Sequence, residues 1–374
     1  MDYFTERTSC IMCESTNLKT LLEENMTIPI ACYSQEIPEK HPVSIPYNIQ
    51  SCEFCNSIQT KYLGDLNLIY GGNHANLFGS IRNKMNILFA EFILEGDKNN
   101  SILEIGAGNG DVCDFILEKS PNIKYTIVDP SYWGSKENRI VINSYFEEYN
   151  INEEINSIVM SHVFEHFYNP LIILDKIKNQ RGIKRVYVNF PDLEYYINNQ
   201  NYHVLNPEHI YYVENAFIID LFRKYGFRLN KRYDYNNFAV FFDFIREDNI
   251  LITQPKNIKT INSALEYFRK LHNNIIYANK IISENSDIPV YIWPSSMHTN
   301  FVISAGLKSE AILNVLDNSP YKIGKYLYGY NLYCKSFSDI ISSKEKKIVL
   351  LAGGCYNKEI QTLISAEYNI IVIL

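Results

Sequence analysis

Ser101-Ile-Leu-Glu104-Ile-Gly106-Ala-Gly108-Asn-Gly110-Asp111 is the stretch that decides the fold. Its apolar start, Ser101 to Gly106, reads as a strand buried on both faces. Three glycines alternate through the next five residues, and a helical pattern then runs from Val112 to Leu117. Strand, glycine turn and helix is the setting in which backbone approaches a ligand closely, because a Cβ would stand in the way. Outward from this point strands and helices alternate. A helix over Ile81 to Leu94 precedes the stretch, and strands follow at Tyr125 to Asp129, near Ile140, at Ser157 to Ser161 and at Lys184 to Phe190. Phe227 to Tyr235 and Ala239 to Ile245 are expected as an antiparallel pair at the sheet edge. The alternation predicts a doubly wound α/β sheet.

Beyond the sheet, Ile261, Leu265, Phe268, Leu271, Ile275 and Ala278 recur at helical spacing, predicting one long amphipathic helix over 257–287. Strands expected at Pro289 to Trp293, Ala311 to Asp317, Lys347 to Leu351 and Tyr368 to Leu374 make a second, smaller Rossmann-like unit. With 374 residues, two or three domains are expected. The boundaries predicted are 1–75 for a metal-binding region, 76–256 for the central sheet, and 257–374 for the linker helix and the C-terminal unit.

The N-terminal region has few periodic apolar segments and two cysteine pairs, Cys10-x-x-Cys13 and Cys52-x-x-Cys55. Two such knuckles place four thiolates around one ion, which suits a closed, structural zinc site. Disulfides and idle thiols are the competing readings. A loop through Pro29, Pro38, Pro42 and Pro46 separates the pairs, and a region this short and proline-rich gains folding energy from a metal. Cys32, Cys113, Cys334 and Cys355 lack paired spacing and read as buried apolar residues.

Composition removes several classes of function. Lys and Arg total 35 against 42 Asp and Glu, a net charge of −7, so a nucleic-acid groove has no global electrostatic support. No apolar run reaches the roughly 20 residues of a membrane span, and no signal-peptide pattern opens the chain. The expected location is the cytoplasm, with reduced or metal-bound cysteines.

The glycine turn also separates cofactor classes. A dinucleotide turn is spaced G-x-G-x-x-G and receives a pyrophosphate. Here the spacing is E-x-G-x-G-x-G, with Glu104 at the strand end. A carboxylate repels a pyrophosphate and attracts the methionyl ammonium of S-adenosylmethionine. Asp129, ending the second strand, is placed to accept hydrogen bonds from ribose hydroxyls, with Pro130 and Ser131 lining the adenine side. The turn and the end of the second strand nominate Glu104, Gly106, Gly108, Gly110, Asp129 and Pro130 as cofactor-binding residues.

Ser161-His162-Val-Phe-Glu165-His166 resembles the S-H-V-L-E-H segment of class I methyltransferases, whose backbone skirts the methionyl portion. Metal binding by His162 and His166, four apart, is the rival reading. The whole chain resembles the sugar C-methyltransferases that act on nucleotide-linked deoxysugars. The markers are the paired cysteines, Asp65 to Tyr70, Asn206-Pro-Glu208-His209-Ile-Tyr211-Tyr212, and Leu316-Asp317-Asn318-Ser-Pro320-Tyr-Lys322-Ile-Gly324-Lys325 followed by Gly329. The resemblance implies a zinc domain, a class I methyltransferase domain and a C-terminal Rossmann-like domain, and an enzyme of class EC 2.1.1. It implies a nucleotide-linked keto-deoxysugar as substrate and adds Tyr70, Phe146, Ser161 and His162 to the expected cofactor-binding residues, while charge and hydropathy argue for no nucleic-acid or membrane partner. It further implies that His209 is the general base removing a proton beside a ketone. Imidazole titrates near pH 6.5, which suits that task. Glu208 would orient the ring or bond the sugar, and Tyr211 or Tyr212 would stack on it or bond to it. Glu208 and His209 capping the helix that begins near Val213 is the alternative.

Two departures bear on the substrate. Asn206 stands where the family commonly has a tyrosine, and the C-terminal unit opens Trp293-Pro-Ser-Ser-Met-His298 where the family has a glycine-rich turn. Without glycines the backbone cannot cradle a diphosphate closely. The alternatives carried are O- or N-methyl transfer to a related sugar or glycan precursor, and a non-catalytic protein that retains the fold.

Overall fold

The computed structural model describes residues 3–28, 34–35, 43–69, 80–96, 101–199, 202–205, 207–235, 239–247, 260–327, 329–341, 344–354, 357–364 and 369–374. Its centre is a seven-stranded sheet of β1 (Ser101–Ile105), β2 (Lys124–Val128), β3 (Ile140–Ile142), β4 (Ser157–Ser161), β5 (Arg185–Pro191), β6 (Phe227–Tyr235) and β7 (Ala239–Arg246). From edge to edge the order is β6-β7-β5-β4-β1-β2-β3. The first five strands are mutually parallel, and β7 runs antiparallel to both β5 and β6. This is the mixed, mostly parallel α/β sheet that the alternation predicts.

Residue parity along the strands explains why the sheet is covered on both sides. Ile102, Val159, Tyr187 and Phe241 join one core with Phe89, Ile93 and Ile116 from the flanking helices Ser80–Gly96 and Asp111–Lys119. Leu103, Ile105, Met160, Val188 and Phe244 face a second core holding Ile173, Leu174 and Phe217 from helices Pro170–Asn179 and Asn215–Lys224. Burying both faces at about 25 cal/mol per Å² of apolar surface is the main stabilising term of such a sheet. The order reverses at β1, whose two neighbours are β2 and β4. Ligands of open α/β sheets bind beyond the carboxyl ends of strands at such a reversal.

The N-terminal region builds more β-structure than its sequence suggests. Leu18–Ile28 and Val43–Cys52 form a long antiparallel hairpin, and Ile58–Thr60 adds a third strand. Ile45, Tyr47 and Ile49 are buried while Ser44, Pro46 and Asn48 are not, a two-residue period that Pro46 disguises. The fourth strand of this sheet comes from far along the chain. Tyr211–Tyr212 pairs antiparallel with Ile58 and Gln59. Ile11 and Met12 lie in the same core as Leu103 and Val213, so this region packs onto the central sheet.

The long helix spans Thr260–Glu284 and buries Ala264, Phe268, Leu271, Ile275 and Ala278. Leu265, expected in that stripe, is exposed. The C-terminal sheet has five parallel strands in the order Cys334–Ser336, Ile312–Asp317, Val290–Trp293, Lys347–Leu351, Asn369–Ile373. Cys334–Ser336 is the strand the sequence does not announce. Among the described residues, no helix is long and apolar enough to cross a membrane.

Candidate active site

The turn after β1 adopts a conformation that only glycine takes readily. Gly106, Gly108 and Gly110 have φ of 65°, 59° and 83°. A Cβ on Gly106 would lie 2.5 Å from Val163 Cγ2, so a side chain is excluded on steric grounds as well. Glu104 is 2% exposed, and its Oε2 accepts a hydrogen bond from the Tyr125 hydroxyl at 2.9 Å. Burial pushes its carboxyl up to about 8. Asp129 is buried beside it and accepts from Gly108 N and Ser131 N, both at 2.8 Å. Its burial raises its pKa too. Each carboxylate oxygen offers two lone pairs, so Asp129 retains acceptor capacity after two backbone bonds.

The other expected cofactor residues fall in different settings. Pro130 and Ser131 are exposed beyond β2. Ser161 ends β4 and accepts from Asn189 Nδ2 at 3.1 Å. Phe146 is 2% exposed and packs in the core with Ile105 and Val128. Tyr70 and Asn206 lie outside the described residues.

Past β4 the chain is strained. His162 has φ 52°, an uncommon value for a residue with a side chain, and such strain clusters at functional sites. Its Nδ1 lies 3.2 Å from Glu165 Oε1. Burial drives its pKa well down, so the ring is neutral at neutral pH. Glu165 and His166 sit on the 3-10 turn Phe164–His166. This turn is tied to the Glu208–Tyr212 segment by two bonds: Ile210 N donates to Glu165 O at 3.2 Å, and the Tyr211 hydroxyl donates to Phe164 O.

The ties bring two short motifs, 43 residues apart, into one cluster. Glu165 Oε1 lies 3.9 Å from His209 Nε2 and 4.0 Å from His166 Nε2. Glu208 Oε2 lies 3.9 Å from His166 Nδ1, and the His166 and His209 rings stand 5.1 Å apart. The sequence nominates Glu208 as the carboxylate that orients His209; the carboxylate closest to its Nε2 is Glu165. Burial pushes both acids up to about 8, which matches them to proton exchange with imidazole near neutrality. His209 opens on a cleft lined by Phe190, Pro191, Leu193, Val204 and Tyr212. Tyr211 lines the same cleft, but its hydroxyl is engaged with Phe164.

The four N-terminal cysteines converge as their spacing predicts. Cys10 Sγ lies 3.6 Å from Cys55 Sγ, and Cys13 Sγ lies 3.6 Å from Cys52 Sγ. All four sulfurs are within 4.8 Å of one another. A disulfide needs about 2.05 Å, whereas thiolates around tetrahedral zinc lie about 3.8 Å apart. The two knuckles repeat each other in detail. Glu14 and Asn56, each just after a second cysteine, have φ near 60° at 63° and 60° and donate N–H bonds to Cys10 O and Cys52 O at 2.9 Å. Met12 N and Phe54 N point at Cys10 Sγ and Cys52 Sγ at 3.4 Å, as amides do toward thiolates. The donor set is compatible with structural zinc. Cys113 and Cys334 are buried, as expected of apolar residues; Cys32 and Cys355 lie outside the described residues.

Residues 78–231 match a family model described as a methyltransferase domain. The chain carries a methyltransferase domain. S-adenosylmethionine is the donor expected of a domain of this kind. Among solved structures, the domain is similar to a protein of Nostoc punctiforme PCC 73102 described as an O-methyltransferase, at 15% identity and TM-score 0.38, covering 44% of this chain and 57% of that one. It is similar to the N,N-8-amino-8-demethyl-D-riboflavin dimethyltransferase RosA of Streptomyces davawensis, at 16% identity and TM-score 0.37, covering 44% and 55%. The N-methyltransferase NodS of Bradyrhizobium japonicum WM9 is similar at 10% identity and TM-score 0.34, covering 45% and 97%. The chain thus spans little more than half the length of the first two. Likenesses this distant decide nothing about substrate. No curated protein matches the chain.

Proposed function

We propose that the chain transfers the methyl group of S-adenosylmethionine to carbon of a nucleotide-linked keto-deoxysugar, with His209 as general base. The observation that carries this reading is the pairing of His209 with the buried carboxyl of Glu165, beside a cleft at the carboxyl end of β4 and β5. On this reading residues 1–75 are a zinc domain, 76–256 the methyltransferase domain, and 257–374 the linker helix and C-terminal domain. Glu104 takes the methionyl ammonium, Asp129 the ribose hydroxyls, and Gly106, Gly108 and Gly110 let backbone approach the donor. When bound, the donor supplies an electrophilic sulfonium methyl. His209 takes a proton from the carbon beside the ketone, the buried Glu165 carboxyl stands 3.9 Å from its Nε2, and the apolar walls of Phe190, Leu193 and Val204 keep water from the carbanionic carbon.

Two measurements test this. His209→Asn should bind donor and sugar nearly normally and lose roughly 100-fold or more in turnover. In heavy water without donor, wild-type protein should exchange the acidic carbon-bound proton of a nucleotide-linked keto sugar, and His209→Asn should not. Methylation of hydroxyls with no carbon exchange would move the acceptor to oxygen and reject the carbon reading. Metal analysis should also find one zinc per chain on the four cysteines, with Cys10→Ser leaving the N-terminal sheet unfolded or aggregating. A metal-free preparation with an ordered N-terminal sheet would contradict the zinc assignment.

A further inference from the structure

The cluster around Glu165 contains more ligating atoms than one proton transfer needs. We propose that Glu165, His166 and His209 form a second, open metal site for a first-row divalent ion such as Zn²⁺, Co²⁺ or Fe²⁺. The Glu165 carboxyl is 1% exposed, and its Oε2 makes no hydrogen bond among the described residues. Around Oε1 the His209 and His166 nitrogens stand at 3.9 and 4.0 Å, beyond hydrogen-bonding distance. One ligand atom from each of the three residues lies within 4.8 Å of the other two. Ligands about 2.1 Å from a common ion lie roughly 3.0 to 3.4 Å apart, so contraction by under about 1.5 Å closes the shell.

The backbone already holds these ligands together. Glu165 and His166 share one 3-10 turn, and the Ile210 N to Glu165 O bond fixes the residue after His209 against that turn. His162 Nδ1, at 3.2 Å, also contacts Glu165 Oε1. Two imidazoles and one carboxylate leave coordination positions open toward the cleft, as in catalytic zinc and non-haem iron sites. The nitrogen donors select borderline transition ions over Mg²⁺ and Ca²⁺, which prefer all-oxygen shells.

The consequence for methyl transfer rests on the His209 reading above. An ion on one His209 nitrogen occupies the base's lone pair, so a bound ion should suppress turnover. The test uses the full chain with zinc already on its four cysteines, titrated with Co²⁺. The expected result is a second equivalent bound, with weak visible d–d bands and no thiolate charge-transfer band. Glu165→Gln and His209→Asn, each checked for unchanged circular dichroism, should weaken that second binding by more than about 10-fold. Stoichiometry that stops at one ion, or equal Co²⁺ binding in both variants, would overturn the site and leave the base assignment standing. A second bound Co²⁺ that lowers turnover about 10-fold, reversed by a chelator too weak to strip the thiolates, supports both. Bound Co²⁺ with undiminished turnover would keep the site and overturn His209 as base.

Discussion

Two turns in this chain hold the same topological position and are finished differently. Gly106–Gly110 follows β1, and Pro294–Ser296 follows Val290–Trp293, each inside a parallel sheet. In both, an aspartate ending the adjacent strand accepts one bond from the turn and one from two residues beyond itself. Asp129 accepts from Gly108 N and Ser131 N, both at 2.8 Å. Asp317 accepts from Ser295 N at 3.1 Å and Ser319 N at 2.9 Å. The parallel ends at the counter-charge. Lys322 Nζ sits 3.1 Å from Asp317 Oδ2 and also donates to Ser295 O at 2.6 Å. Among the described residues no cation pairs with Asp129. One aspartate keeps lone pairs for a ligand; the other closes its own turn with a lysine. The first turn has left-handed glycines that let a ligand touch backbone, and the second has a serine cap, Ser296 Oγ accepting from Thr299 N at 3.3 Å.

The largest effect that would sharpen this contrast is on stability. Asp317→Ala leaves the Lys322 charge buried, with its side chain 12% exposed, and should cost about 3–5 kcal/mol in denaturant unfolding. Calorimetric affinity for S-adenosylmethionine should stay at the wild-type value; a parallel loss of affinity would mean the two turns are not separate in purpose. Asp129→Ala should do the reverse. It should weaken donor binding by about 1–3 kcal/mol with little change in unfolding, and unchanged affinity would remove the ligand role.

The smallest predicted effect concerns proton release. With its carboxyl near 8 before the donor binds, Glu104 is mostly protonated at pH 7, and an ammonium ligand favours its ionised form. Binding should therefore release a proton, and affinity should rise about fivefold from pH 7 to pH 8 before levelling. Calorimetry in buffers of different ionisation enthalpy reads this directly. No proton release, or affinity falling over that interval, would place the ammonium elsewhere.

What the sequence reveals follows the range of the interaction. Glu104, the three glycines and Asp129 are legible because strand, turn and helix are local patterns with fixed spacing. The cysteine pairs are legible for the same reason, and so is the edge pair Phe227–Tyr235 and Ala239–Arg246. The N-terminal hairpin is hidden because Pro46, Glu23, Glu24 and Asn25 interrupt its apolar alternation, and Cys334–Ser336 is too short to show a period. Glu165 as the partner of His209 is illegible for a different reason. Sequence adjacency favours Glu208, and only the bonds between the Phe164–His166 turn and Ile210–Tyr211 bring residue 165 closer. The match between Asp129 and Asp317 likewise depends on two strand ends that no motif links.

The Tyr211–Tyr212 strand bears on how the chain is made. Thr60 N donates to Ile210 O at 3.0 Å, across 150 positions of sequence. While the chain emerges from the ribosome at about 5–20 residues per second, the Ile58–Thr60 edge waits roughly 8 to 30 s for its last strand. During that interval its unpaired amides and carbonyls are a template for another chain. Only when residues 207–212 arrive does the sheet gain its fourth strand, and Ile210 of the same segment bonds to Glu165 O and brings His209 to that turn. The segment that closes the sticky edge also completes the reactive cluster, so a nascent chain released before that point is expected to be aggregation-prone and inactive together.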